Sequence, residues 1–164
     1  MSSNTKLRML KKMQTQRIKP LGCYLFLTLI FSAVSLCGRN ALIFLFNSKN
    51  FGFFSIDFMM NNGAAFSLLQ GKTSLLITVS FLILFTIILY IYKNILNFSK
   101  LEILYSSMLS AGIICNLMER MINGFVIDYI KLNFMAFPVF NISDVFINIG
   151  AFLLICNILF NDDK

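Results

Sequence analysis

The chain has 164 residues, of which 58% are hydrophobic and 13% are charged, and its mean hydropathy is +0.80. A soluble domain usually carries about 25% charged residues, so this composition excludes a water-soluble globule and indicates one polytopic membrane domain. Histidine is absent, which excludes Ser-His-Asp triads, Cys-His sites and metal sites that need histidine. The net charge of +7 does not indicate nucleic-acid binding, because the basic residues are concentrated before the first apolar segment.

The N-terminal segment 1–20 is basic and directly precedes an apolar segment at 21–36. This is the arrangement of a cytoplasmic flank, so we expect a basic cytoplasmic tail at 1–20 and a single four-span membrane domain at 21–164. A cleavable leader is the alternative, but the bulky Leu36 at the possible cleavage position and the length of the tail favour an uncleaved anchor. The six cations of the tail are Lys6, Arg8, Lys11, Lys12, Arg17 and Lys19.

Hydropathy predicts four transmembrane helices, at 21–36, 74–92, 103–118 and 137–160. A helix needs about 20 residues to cross the hydrocarbon core, so the second and fourth segments qualify as they stand, and the first and third need flanking residues. With the N-terminus in the cytoplasm, nine of the 14 cations lie on the cytoplasmic side and five on the opposite side. The positive-inside rule therefore predicts that both termini are cytoplasmic.

Two segments between the spans have the composition of short β-strands. Residues 51–58 are aromatic and partly alternating, and residues 124–132 are rich in β-branched and aromatic side chains. Both fall on the extracytoplasmic side, where they could pair or could rest as two aromatic loops among the lipid headgroups. We expect a membrane α-helical fold, with four transmembrane helices and a small extracytoplasmic β-sheet at the membrane interface.

Cysteine thiols and carboxylates are the reactive side chains left in this chain. The four cysteines form no CxxC pair and three of them lie in apolar segments, so we expect free, buried thiols that act as small hydrophobic residues. The acidic residues on the outer half of the predicted bundle are Asp57, Glu119, Asp128 and Asp144. Any catalysis is therefore expected to use carboxylates.

Asp144 is the most unusual of these acids, because it lies seven residues into the fourth apolar segment. An aspartate at the centre of a transmembrane helix costs roughly 2.5–3.5 kcal/mol, and such residues usually face a polar cavity and carry function. Asn141 and Asn148 lie three residues before and four after Asp144, which predicts a polar stripe along one helix face. Hydrogen bonding between helices is the alternative role for the two asparagines.

Other polar residues are expected at the same membrane face. Asn116, Glu119 and Arg120 lie at the outer end of the third span, Asp128 follows in a predicted strand, and 61–67 reads as a turn followed by small residues. Two aspartates that share one proton can activate a water molecule for attack on an amide. A transporter or proton relay and a structural subunit are the alternatives. Polarity at one face favours a site open to that side.

Four pieces of sequence, in this order, resemble the lipoprotein signal peptidases, the signal peptidase II family of bacterial membranes. They are NNGAAFS at 61–67, GIICNLMER at 112–120, GFVID at 124–128 and FNISD at 140–144. The resemblance extends over residues 20–160, and the four-span layout agrees with it. It implies four helices with a small extracytoplasmic sheet, as in the fold expected above.

The resemblance implies an aspartyl endopeptidase of the bacterial inner membrane, with its active site towards the periplasm. Such an enzyme removes the signal peptide from diacylglyceryl-modified prolipoproteins and cuts just before the lipidated cysteine. It would act as a monomer among membrane lipids, without nucleic acid, metal or organic cofactor.

The same resemblance makes Asp128 and Asp144 the catalytic dyad. The matching positions that would shape the site and hold the substrate are Asn61, Gly63, Asn116, Arg120 and Asn141. Three positions depart from the family pattern: Glu119 stands where the family usually has Asp, Ser143 stands where it usually has Ala, and 36–40 lacks the usual Asp and nearby Lys. We expect these departures to alter details of binding and to leave the activity intact.

Overall fold

A computed structural model describes residues 3–46, 48–64 and 68–160 of the protein. These residues form a helical bundle with a three-stranded antiparallel sheet at one end. This architecture confirms the predicted fold class, and the outer segments pair as strands and do not form two aromatic loops. The elements are α1 (Ser3–Leu45), β1 (Lys49–Asn50), β2 (Phe54–Asn61), α2 (Thr73–Asn94), α3 (Lys100–Asn123), β3 (Val126–Leu132) and α4 (Ile142–Phe160).

Among the described residues, three helices are long and apolar enough to cross a membrane: Thr15–Leu45 of α1, the whole of α2 and the whole of α3. The fourth helix, α4, has 19 residues, which corresponds to about 28 Å at the rise of an α-helix. This is close to the hydrocarbon thickness of about 30 Å. Most of the apolar surface of α1 and α2 is not covered by protein, so these faces are expected to contact lipid.

The first helix is longer at both ends than the apolar segment 21–36 that predicts it, because α1 begins at Ser3 and continues past Arg39 to Leu45. A cation at this position suggested a connection outside the membrane. In the structure, however, Arg39 Nη1 lies 2.7 Å from Glu119 Oε1 of α3. The ion pair compensates the charge of Arg39, so the helix can continue through it.

The third helix lies at the centre of the bundle and packs against α1, α2 and α4. Its N-terminus is capped by Ser99, whose side chain accepts from the Glu102 backbone N–H while the Glu102 carboxylate accepts from the Ser99 backbone N–H. Its C-terminus ends at Gly124, in the left-handed conformation with φ +84°. These caps explain why α3 extends beyond the predicted range 103–118 at both ends.

Two glycines allow α3 and α4 to approach closely. A Cβ atom on Gly112 would collide with the backbone carbonyl oxygen of Ser143, and one on Gly150 would lie 2.8 Å from Leu109 N. The backbone of α3 therefore rests directly on the residue that precedes Asp144. This contact fixes the position of Asp144 relative to α3.

The fourth helix begins five residues later than predicted, at Ile142, so the predicted stripe of Asn141, Asp144 and Asn148 on one helix is wrong for Asn141, while Asp144 and Asn148 both lie in α4, four residues apart. Asn141 lies before the helix, and Asp144 is in its first turn. The delay has a tertiary cause, because Phe140 pairs with Ile130 of β3 in an isolated β-bridge and its backbone groups are used there. Asp144 consequently lies at the end of the helix and not deep in an apolar span.

The sheet has the order β1-β2-β3, and its neighbouring strands are antiparallel. In the register of β2 and β3, Met59 lies opposite Asp128 and Asn61 opposite Val126, with an irregularity between Ile56 and Met59. The second strand extends three residues beyond the predicted 51–58, so Asn61 is part of the sheet. Of the turn predicted at 61–67, residues 65–67 lie outside the described part of the chain.

The prediction of buried cysteines is correct only for Cys115. Cys156 is partly buried, and Cys23 and Cys37 are exposed on the surface of α1; all four thiols are free. The physical reason is that α1 packs against protein on one side only. In a membrane helix, an apolar position faces lipid as readily as it faces the protein interior.

Candidate active site

Asp128 is held on β3 by two asparagine side chains. Its Oδ2 accepts from Asn61 Nδ2 and its Oδ1 accepts from Asn141 Nδ2, both at 2.8 Å. Its side chain is buried, with a relative exposure of 3%. Burial raises the pKa of Asp128 to about 6, and the negative charge of Asp144 adds to this effect, while the two amide hydrogen bonds and the charge of Arg120 oppose it.

Asp144 is held in the first turn of α4 by donors from two directions. Its Oδ1 accepts from Asn116 Nδ2 of α3 at 2.7 Å, and its Oδ2 accepts from the Asn141 backbone N–H at 3.1 Å. The N-terminus of a helix also favours a negative charge at this position. Asn148, predicted to share a helix face with Asp144, lies one turn later in α4, lines the same cavity as Asp144 and donates to the Asp144 backbone carbonyl oxygen at 2.8 Å.

Asn141 connects the two aspartates. Its Nδ2 donates to Asp128 and also to Asn116 Oδ1, the latter at 3.2 Å, and its Oδ1 accepts from the Asp144 backbone N–H at 2.9 Å. The Asn141 amide is therefore fully used in positioning these neighbours. Each of the four carboxylate oxygens of the two aspartates accepts one hydrogen bond from an amide of Asn61, Asn116 or Asn141. Each oxygen has a further lone pair for water or substrate.

Arg120 projects from α3 towards the turn that follows β2. Its Nη2 donates to the Gly63 carbonyl oxygen at 2.9 Å and its Nη1 to the Asn116 carbonyl oxygen at 3.4 Å. The Gly63 backbone N–H in turn donates to Asn61 Oδ1 at 2.9 Å. Arg120 Nε is buried and has no hydrogen-bond partner among the described residues, so this N–H is free to bind a further acceptor.

A cavity of about 770 Å³ brings these groups together. Its polar wall carries both aspartates, and its remaining walls are largely apolar. Volumes of about 300–1,000 Å³ are typical of ligand sites. Of the seven residues predicted for the site, five line this cavity and two, Asn116 and Asn141, stand behind the aspartates as hydrogen-bond partners. The polar lining includes Asn61, Gly63, Arg120, Asp128 and Asp144, and the apolar lining includes Met59, Met60, Phe137, Phe140, Ile147 and Ile149.

Sequence reasoning missed two residues that support the site. Arg39 was counted only as a cation outside the membrane, yet it pairs with Glu119, whose other oxygen, Oε2, accepts from the Ile127 backbone N–H at 2.9 Å. Tyr129 Oη accepts from the Ile142 backbone N–H at 3.2 Å. The sequence did carry a signal for the pair of Arg39 and Glu119, because Arg39 lies in the stretch 36–40 and both this stretch and Glu119 depart from the family pattern. For Tyr129 the sequence held no signal beyond its position next to Asp128.

The family model of signal peptidase (SPase) II matches residues 9–160 of the chain. The chain belongs to the signal peptidase II family. Its members are aspartic peptidases that remove signal peptides from prolipoproteins, and the present chain is accordingly a membrane-embedded hydrolase that acts on lipoprotein substrates. The family resemblance read from the four sequence pieces is confirmed.

Individual relatives support this membership. The lipoprotein signal peptidase of Fusobacterium nucleatum subsp. nucleatum is 34% identical over 114 residues, which cover 69% of this chain and 69% of the relative. That of Caldicellulosiruptor bescii is 36% identical over 103 residues, which cover 63% and 65%. The chain thus spans about two thirds of the length of these curated relatives. A bacterial membrane enzyme solved by the in meso method at 2.3 Å resolution is similar with a TM-score of 0.76 and 26% identity, over 87% of this chain and 92% of that one.

Proposed function

We propose that this membrane peptidase uses Asp128 and Asp144 as a catalytic dyad and cuts diacylglyceryl-modified prolipoproteins just before the lipidated cysteine. The observation that carries the proposal is the position of Asn141, which hydrogen-bonds to both aspartates while both line the same cavity. Two carboxylates at such a site can share one proton, because ionising both is unfavourable. The pKa of Asp128, raised to about 6 by burial, supports proton sharing at moderate pH.

In the proposed reaction, a water molecule lies between the two carboxyl groups. The ionised carboxylate takes a proton from the water as the water oxygen forms a bond to the scissile carbonyl carbon. The protonated carboxyl group donates a hydrogen bond to the developing oxyanion. When the C–N bond breaks, the leaving amine takes up a proton from the dyad, so that one shared proton remains for the next cycle.

The cavity wall matches a substrate that is partly lipid and partly peptide. Met59, Met60 and Phe137 provide an apolar wall next to the polar one, so acyl chains in the bilayer and a signal helix between the spans can reach the dyad together. The Nε–H of Arg120, which has no partner among the described residues, is suited to donate to a backbone carbonyl oxygen of the peptide. Asn61 and Asn116 hydrogen-bond to the two aspartates and Gly63 to Arg120. They hold in place the side chains that would surround the substrate.

We also propose that both termini are cytoplasmic, that the site faces the periplasm and that the enzyme is active as a monomer in the lipid bilayer. The distribution of nine and five cations supports this orientation. Arg17, at the start of the membrane-spanning part of α1, donates to the Tyr92 carbonyl oxygen near the end of α2. Arg39, which adjoins the site, lies near the other end of that part. A monomer suffices because one chain carries every residue of the proposed site.

The test is cleavage of a purified prolipoprotein by the full-length enzyme in detergent. The substrate is offered with and without the diacylglyceryl group, and the new N-terminus is read by mass spectrometry. We expect cleavage directly before the cysteine of the lipidated form only. As a matched control, Asp57→Asn changes an aspartate of β2 outside the cavity lining and should leave the cleavage unchanged. Cleavage at another position, or equal cleavage of the unlipidated form, would contradict the proposal.

A further inference from the structure

The Glu119 side chain of α3 contacts both α1 and β3, the strand that carries Asp128. Its Oε1 pairs with Arg39 Nη1 of α1 at 2.7 Å, and its Oε2 accepts from the Ile127 backbone N–H at 2.9 Å. The residue is buried, with a relative exposure of 7%. We propose that Glu119 is a positioning residue that fixes β3 immediately before Asp128, and that Arg39 holds Glu119 in place for this task. The inference rests on the proposed role of Asp128.

The location of the Ile127 N–H explains why such a residue is needed. β3 is the outer strand of the three-stranded sheet, so some of its backbone N–H groups point away from β2 and need a partner outside the sheet. Two of these groups flank the aspartate: Ile127 N–H donates to Glu119, and Tyr129 N–H donates to the Phe140 carbonyl oxygen at 3.0 Å. Asp128 is therefore fixed along the strand from both sides, and Glu119 provides the fixation on the N-terminal side.

Arg39 is suited to hold the Glu119 carboxylate. Its Nε and Nη2 donate to Asn40 Oδ1 at 3.2 and 3.1 Å, which orients the planar guanidinium and leaves Nη1 directed at Glu119. A buried carboxylate without a partner would be strongly unfavourable, so the pair with Arg39 keeps the Glu119 side chain in place and in contact with β3. Two of the three departures of this chain from the family pattern, the stretch 36–40 and Glu119, thus meet in one ion pair.

A matched pair of double variants separates positioning from simple packing. In Arg39→Met/Glu119→Gln the charges are removed, but the Gln carbonyl oxygen can still accept from Ile127 N–H. In Arg39→Met/Glu119→Met the charges are removed and the acceptor is removed as well. The two proteins differ only in the carboxamide at 119, which carries the acceptor for Ile127 N–H together with an NH2 group, since both carry methionine at 39 and an uncharged side chain of similar length at 119.

The experiment measures kcat and KM for the lipidated prolipoprotein, normalised to the folded fraction from thermal unfolding in the same detergent. We expect the Gln variant to keep kcat within about threefold of wild type, and the Met variant to lose at least about tenfold in kcat with little change in KM, because the substrate-binding walls are untouched. Equal kcat in the two double variants would overturn the inference. Asp128→Asn is measured alongside: if it remains active, the proposed dyad fails, whereas an inactive Asp128→Asn with equal double variants refutes only the role of Glu119.

Discussion

Asn141 and Asp144 cap each other at the start of α4. The Asn141 backbone N–H donates to Asp144 Oδ2 at 3.1 Å, and the Asp144 backbone N–H donates to Asn141 Oδ1 at 2.9 Å. This reciprocal arrangement resembles a capping box. The carboxylate of Asp144, one of the two proposed catalytic groups, is therefore also part of the helix cap. Asn141 Nδ2, which is not used in the cap, donates to the other proposed catalytic group, Asp128.

Two substitutions can separate the two roles of Asn141, which caps α4 and hydrogen-bonds to Asp128. Asn141→Ala removes the cap and the link to Asp128, so we expect a loss of about 1 kcal/mol in the free energy of unfolding together with at least about a tenfold loss of kcat. In Asn141→Ser, the hydroxyl oxygen can still cap the helix but no amide reaches Asp128, so stability should return while kcat stays low. Thermal unfolding and turnover of both variants provide the measurement. Full activity of Asn141→Ser would mean that the link between the aspartates is dispensable.

Tyr129 is expected to stabilise the junction between the two aspartate-bearing elements. Burial raises the pKa of its hydroxyl to about 12, so the group stays neutral and accepts from the Ile142 backbone N–H. Tyr129→Phe leaves that N–H without its acceptor, which should lower the free energy of unfolding by about 1 kcal/mol and reduce kcat more than it changes KM. The control is Tyr90→Phe on the exposed surface of α2. Equal melting temperatures for the two variants would count against this role.

Gly112 sets the distance between α3 and α4, and its replacement should displace Asp144. In Gly112→Ala the new Cβ would collide with the Ser143 carbonyl oxygen, so α4 must move away from Asn116. We expect a loss of at least about 1 kcal/mol in the free energy of unfolding and a large loss of activity. Gly22→Ala in α1 is the control, because its Cβ would meet no atom within 4 Å. If Gly112→Ala behaves like Gly22→Ala in unfolding and turnover, the close approach is not needed.

The raised pKa of Asp128 predicts a pH dependence of stability with a defined sign. The carboxyl group has a pKa of about 6 in the folded protein and about 3.9 in an unfolded chain. The folded state therefore binds the proton more tightly, and this contribution to stability decreases as the pH rises from about 4 through about 6 and is lost by about pH 7.

Asp128→Asn cannot titrate at position 128, so it isolates this contribution. The difference in free energy of unfolding, wild type minus Asp128→Asn, should decrease by about 2 kcal/mol between about pH 4 and about pH 6, and by about 3 kcal/mol in total between about pH 3 and about pH 7. Chemical unfolding in detergent at a series of pH values measures it. A difference that is constant or increases over this interval would show that Asp128 is not held with a raised pKa.

Hydropathy predicted the spans because lipid demands long apolar helices, whose composition is visible in any sequence. The helix ends were less accessible, since they depend on distant contacts. α1 passes through Arg39 because an anion 80 positions later in the chain compensates it, and α4 starts late because Phe140 pairs with Ile130. The same late start changed Asp144 from a residue within a span to one in a helix cap.

The candidate site was predictable as a set of residues but not as a network. Asp128 and Asp144 stood out because few acidic residues are present and because they match a family pattern. That Asn141 hydrogen-bonds to both of them follows from the turn before α4, which no spacing rule describes. Glu119 was noticed as a departure from the pattern, but its contact with Ile127 depends on β3 being an edge strand.

The central claim is that Asp128 and Asp144 act as one catalytic unit, and turnover of three variants tests it most directly. The variants are Asp128→Asn, Asp144→Asn and the double substitution, each assayed on the lipidated prolipoprotein, with the folded fraction measured in parallel. Asn has nearly the same shape as Asp but cannot take up a proton at neutral pH. We predict a loss of at least about 100-fold in kcat for each single variant and hardly any further loss in the double variant, because the two groups work together. Retention of more than about a tenth of the wild-type rate by either single variant would contradict the dyad.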